Sequence, residues 1–170
     1  GCCGSCCFNE WDDDDYENLD ENEKGYKGEG LCSPVDNDSF ERLYDVGAEI
    51  ATGDSGEVHR VIDIATGEAY ACKFVAKQRT QDMPNEIRAQ IIALQKLDHA
   101  NVCQLKGAYE SGSMVYLVME LMEGDTLGAY MYDSAGPLAE EEAKQIVLKV
   151  LGALDYIHSR GIIHRDVTPE

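Results

Sequence analysis

Basic residues are scarce in this sequence. Fourteen Lys and Arg stand against 33 Asp and Glu, a formal charge of −19 over 170 residues. So acidic a surface repels phosphate backbones, and nucleic acid is excluded as an expected partner. There is no run of about 18 apolar residues, the length a membrane-crossing helix needs, and no secretory signal is visible. No internal repeat is apparent either. The seven cysteines are not the spaced pairs of a disulfide scaffold. Cys2, Cys3, Cys6 and Cys7 crowd one end, without the histidines or the second distant pair of a zinc module. Cys72 and Cys103 sit inside apolar runs, where a reduced thiol packs as a small hydrophobe, so a reducing, cytoplasmic compartment is expected.

The charge is unevenly spread. Residues 1–45 hold 14 acidic and three basic side chains and few apolar ones, a composition that does not build a core. Residues 1–43 are therefore expected to be a largely disordered tail. Its start, Gly1-Cys2-Cys3-Gly4-Ser5, fits the N-myristoylation pattern where that glycine is the mature N-terminus. One myristoyl chain binds membranes only marginally, and the second signal is not a basic patch, because Asp12 to Asp15 carry the opposite charge. Palmitoylation of the adjacent Cys2 and Cys3 supplies it without positive charge. Gly1, Cys2 and Cys3 are thus the candidate lipidation sites, and membrane anchoring is the expected location. A soft-metal site at these cysteines, or a chance match, are the competing explanations.

Residues 44–170 show the periodicity of a folded unit. Strand-like segments at 44–51, 56–64 and 69–76 are followed by a helical pattern over 83–97. Two more strands, about 102–110 and 114–121, lead to a short helix and a long one over 138–160. The expected fold class is α+β: a five-stranded antiparallel sheet with one helix, then the first helices of a helical lobe. On the third strand, alternation sets Ala71, Lys73 and Val75 on one face and Tyr70, Cys72 and Phe74 on the other. A solvent-exposed face is the plain explanation for that lysine. On the long helix, Ile146, Val150, Leu154 and Ile157 form an apolar stripe that the absence of further helices leaves open.

The stretch Ile50-Ala51-Thr52-Gly53-Asp54-Ser55-Gly56-Glu57-Val58 is a candidate phosphate loop, since residues without a Cβ let backbone approach an anion closely. Alone it is a weak signal. It is followed in order by Ala71-Cys72-Lys73 and by Ile163-His164-Arg165-Asp166. With these the chain resembles a eukaryotic protein kinase, from its first strand to the start of its catalytic loop. The words YACKFVAK, LDHANV, YLVMELMEG, EEEAKQIV and YIHSRGIIHRD lean toward the calcium/calmodulin-dependent and calcium-dependent Ser/Thr kinases.

The resemblance implies an activity, ATP-dependent phosphorylation of protein Ser/Thr, and a set of roles. Lys73 would hold the ATP phosphates and Asp166 would orient the substrate hydroxyl and take its proton. Gly53 and Gly56 would cover the phosphates, and Ile50, Val58 and Ala71 would roof the adenine. Met119 falls at the gatekeeper position, with the backbone of Glu120 and Met122 on the adenine edge. His164 and Arg165 would be supports. Four departures accompany it. Ala51 replaces a loop glycine, and Gln90 stands where a helix glutamate normally pairs with the strand lysine, with Glu86 one turn earlier as a substitute. Thr168 replaces a lysine near the transferred phosphate. The sequence ends at Glu170, before the family's Mg²⁺ ligands, so Mg²⁺ is an implied cofactor with no ligand in this chain, and the fragment alone is expected to be poorly active. A pseudokinase or membrane-tethered nucleotide-binding module is the alternative reading, and an acylated acidic adaptor a third.

Overall fold

The computed structural model describes residues 32–35, 37–53, 56–77, 85–133 and 137–169. The candidate lipidation residues Gly1, Cys2 and Cys3, with the acidic run after them, lie outside the described residues. In chain order the elements are β1 (Ser33–Pro34), α1 (Asn37–Leu43), β2 (Tyr44–Gly53), β3 (Gly56–Asp63), β4 (Ala69–Ala76), α2 (Asn85–Gln95), β5 (Leu105–Glu110), β6 (Met114–Glu120), α3 (Leu127–Asp133) and α4 (Glu140–His158).

The sheet has six strands in the order β1-β5-β6-β4-β3-β2, one more than expected. The five expected strands pair antiparallel, and the addition is β1, which joins the edge of β5 in parallel through Ser33↔Tyr109 and Pro34↔Glu110. The folded part therefore begins before residue 44, because both β1 and α1 come from the segment expected to be tail. What its acidic composition concealed is Phe40, which is 1% exposed and stacks on Tyr116 at 4.1 Å with its ring nearly parallel. One aromatic in a polar segment suffices when its partners, Tyr44, Phe74 and Tyr109, come from the sheet.

Alternation divides the core between the two sheet faces. On the outer face Phe40, Tyr44, Val61, Cys72, Tyr116 and Val118 pack together. On the inner face Val75, Val115 and Leu117 meet Ile87, Ile91 and Ile92 of α2, and Cys32 closes the edge. The turn between β3 and β4 is set by Asp63, whose Oδ1 accepts the Ala65 and Thr66 N–H groups at 2.8 and 3.0 Å.

A third cluster joins this sheet-and-helix unit to α4. Ala93, Leu94 and Leu97 pack against Ile157 and Ile162, with Tyr156 beside them. Three acidic residues, Glu140 to Glu142, occupy the first turn of α4, where the helix dipole favours negative charge. Of the stripe expected on α4 only Ile157 is buried; Val150 is exposed, as are Val147, Leu148 and Leu151. That face has no covering element among the described residues.

Candidate active site

β4 is the central strand of the site. Lys73 lies opposite Val58 of β3 and Leu117 of β6, while Ala71 lies opposite Met119. Val58 pairs in turn with Ala51 of β2, so Ala51, Val58, Ala71, Lys73 and Met119 share the inner face. Lys73 is only 3% exposed, which overturns the solvent-exposed explanation for it. Its two neighbours on that face, Ala71 and Val75, are buried as well. An ammonium held in so apolar a strand face is costly unless something anionic or polar answers it.

The β2–β3 hairpin closes over this face with Gly53 opposite Gly56, and Asp54 and Ser55 lie outside the described residues. The glycine at 56 is required by geometry. Its φ is +132°, and a Cβ there would stand 2.2 Å from the Phe74 carbonyl oxygen of β4. Ile50 is half-buried at one of the two register shifts of β2, between Glu49 and Ala51.

Gln90, aligned with the missing glutamate, is 3% exposed on α2. Its neighbours Ile87 and Ile91 pack on the inner face with Val75 and Leu117, Leu117 being the cross-strand partner of Lys73. Gln90 is thus buried on the helix that packs against the inner face. The side chain of Glu86, the weighed substitute, is outside the described residues.

Beyond β6 the chain changes from sheet to connector. The Glu120 N–H is taken by the Gln104 carbonyl at 2.9 Å, and Met122 is half-buried in the segment that follows. Gly124, with φ +104°, turns this segment into α3. There the Thr126 hydroxyl caps the Ala129 N–H at 3.1 Å.

The second half of the candidate site begins where α4 stops. Gly161 takes φ +74°, and the Ile162 N–H returns to the Ile157 carbonyl at 3.1 Å, which ends the helix and buries Ile162. Two residues on, the His164 Nδ1 accepts the Asp166 N–H at 3.3 Å. Arg165 between them is the non-glycine residue with positive φ among the described residues, at 65°. Such backbone is unfavourable for a side chain with a Cβ and is held only by surrounding structure. One hold lies downstream: the Gly128 N–H of α3 donates to the Pro169 carbonyl at 2.5 Å. Asp166 itself is half-buried, and Thr168 is exposed.

Tyr156 carries a role that motif reading left unassigned. Its hydroxyl accepts the Asp98 N–H at 2.7 Å, its ring lies 4.8 Å from that of His99, and Arg160 covers it at 3.6 Å. It thus ties the segment after α2 to the end of α4. The words LDHANV and YIHSRG contain every partner, but neither says that they meet.

A buried cation under a glycine-closed hairpin, with an apolar strand face on either side, fits a nucleotide triphosphate in the chemistry of its groups. For Mg²⁺ the resemblance assigns no residue within this chain.

The family model for the protein kinase domain matches residues 44–170. Calcium-dependent protein kinase 5 of Oryza sativa subsp. japonica is 35% identical over 135 residues, 78% of this chain and 24% of that protein. Calcium-dependent protein kinase 24 of Arabidopsis thaliana is 35% identical over 143 residues, 82% of this chain and 24% of its own length. A Plasmodium berghei (strain Anka) protein, also calcium-dependent protein kinase 5, is 34% identical over 137 residues, 80% of this chain and 24% of that protein. The chain belongs to the protein kinase family. It spans about a quarter of the length of these curated relatives.

Proposed function

We propose that this chain is part of a Ser/Thr protein kinase that transfers phosphate from ATP to protein hydroxyls. The observation that carries the reading is Lys73, a buried lysine on a strand face beneath the β2–β3 hairpin. In this reading Lys73 holds the nucleotide phosphates, the backbone at Gly53 and Gly56 covers them, and Val58, Ala71 and Ile50 enclose the base. Met119 limits the depth of the pocket. The Glu120 carbonyl and the Met122 N–H read the adenine edge, a division of labour supported by the engagement of the Glu120 N–H with Gln104. Asp166, its backbone restrained by His164, orients the acceptor hydroxyl and takes its proton. Bound Mg²⁺ neutralises phosphate charge, and the family resemblance places its ligands C-terminal to Glu170.

We further propose that the protein is held at a membrane through acylation of Gly1 and of Cys2 and Cys3. The support is the sequence pattern alone: an acceptor glycine with Ser at the fifth position, and thiols in place of a basic patch.

The test of the catalytic reading is phosphate transfer from Mg·ATP by the protein isolated from its own cells, compared with Asp166→Asn. Loss of a positioned base is expected to lower kcat by about 10²-fold or more. Equal rates in the two proteins would refute the assignment. Intact mass of the same material reports whether acyl chains are present.

A further inference from the structure

On the outer face of the β2–β3 hairpin, opposite the candidate nucleotide pocket, three side chains converge that the catalytic reading leaves unused. They are Glu49, Glu57 and His59. Glu49 and His59 are cross-strand partners, and Glu57 precedes His59 by two positions, so alternation sets all three on one face. One ligand atom from each lies within 4.8 Å of the others.

The imidazole separates this group from a patch of carboxylates. Its Nδ1 lies 3.4 Å from the Gly47 carbonyl oxygen. That leaves Nε2 directed at the Glu57 Oε2, 3.2 Å away. That separation is also that of an ordinary imidazole–carboxylate hydrogen bond. It matches the edge of a tetrahedron of metal bonds of about 2.0 Å, which is roughly 3.3 Å.

The surroundings are those of a bound histidine. Its Nδ1 faces a backbone carbonyl, the placement that orients the ring at metal sites. The ring packs 4.8 Å from that of Phe74, and the Thr52 hydroxyl donates to the Glu49 carboxylate. The imidazole is thus held while the Glu57 side chain, 60% exposed, is free to close and leaves room for water.

We propose that Glu49, Glu57 and His59 bind a zinc ion, three protein ligands and a water, on the outer face of the hairpin. One nitrogen and two carboxylates suit a borderline divalent ion such as Zn²⁺ better than a purely oxygen-seeking one. The ion bridges β2 to β3 and so staples the hairpin whose other face carries Ala51 and Val58.

The test is calorimetric titration with Zn²⁺ of the 170-residue chain in which Cys2, Cys3, Cys6, Cys7 and the half-exposed Cys103 are replaced by Ser, which leaves only the buried thiols Cys32 and Cys72. One zinc is expected to bind and to raise the melting temperature. Its affinity should fall by at least about tenfold in Glu57→Gln and in Glu49→Gln, and further in His59→Ala. His59→Gln, which keeps the bulk of the side chain, guards against a folding defect, with circular dichroism as the check. No zinc uptake, or uptake unchanged by His59→Gln and Glu57→Gln, overturns the proposal and leaves a histidine–carboxylate contact only.

Discussion

Replacing Phe40 by Ala tests whether the segment before β2 is an integral part of the fold. The ring is 1% exposed and lies against four others: Tyr116 at 4.1 Å, Tyr44 at 5.1 Å, Tyr109 at 5.7 Å and Phe74 at 5.9 Å. Truncation of a buried Phe costs about 3–5 kcal/mol in lost transfer energy and cavity. Aromatic pairing adds about 0.5–1.5 kcal/mol for a well-placed pair, which alone argues for the upper part of that range. Against this, α1 is a seven-residue helix between β1 and β2 and can shift, so the cavity need not persist in full. We expect a loss of about 3–4 kcal/mol, which for a chain of this size lowers the melting temperature by roughly 6–16 °C. Urea denaturation followed by circular dichroism gives the number, and hydrogen exchange gives its location. Amides of 37–43 should lose protection first, then those of β3 and β4. Phe40→Leu keeps much of the volume and should cost less than half as much. A loss under about 1 kcal/mol for Phe40→Ala, with unchanged exchange, would refute the account of the outer face.

Three further outcomes follow from the structure. Gly56→Ala should cost more than about 2 kcal/mol, because φ +132° and a backbone oxygen 2.2 Å from the new Cβ cannot both be relieved. Gly67→Ala, with φ +75° but nothing within 4 Å, should cost about 1 kcal/mol, and equal midpoints in urea would contradict the argument. Gln90→Glu should raise the phosphotransfer rate of the native protein by about tenfold, near 1.4 kcal/mol, if position 90 meets Lys73 as the reading requires. An unchanged or lower rate counts against that pairing. Stability should also fall in alkali. Burial, with a smaller effect from Glu110, pushes the Cys32 thiol from 9.0 up to about 12, and burial raises Cys72 as well. The unfolded thiol ionises near pH 9 while the folded one stays protonated. This contribution is therefore complete below pH 9 and is lost as pH rises toward 12. Urea midpoints from pH 8 to 11 measure it, and Cys32→Ala should flatten the slope.

Much of the fold was legible from period and punctuation. The 2-residue alternation over 69–76 and the helical spacing of Ile87, Ile91 and Leu94 belong to local backbone geometry, which side chains a few positions apart declare. The turn at Ala65 to Gly67 was equally visible, since Asp63 and Gly67 supply its bonds within a few residues. The order of the motifs around Lys73 and Asp166 sufficed for the family. The segment 32–43 was misjudged because its one buried ring is outvoted by charge in any composition window, and its partners lie far along the chain.

Thus the sequence alone determined the strands and helices from Tyr44 onward and the family, because those signals act between near neighbours or in a fixed order of motifs. Only the tertiary structure decided that β1 lies beside β5, that Lys73 is buried and that Tyr156 meets Asp98. The same holds for Glu49 and His59, which face each other only once the bulge in β2 has set the register. In each case the partner is chosen by packing across the sheet, where separation along the chain carries no information about distance.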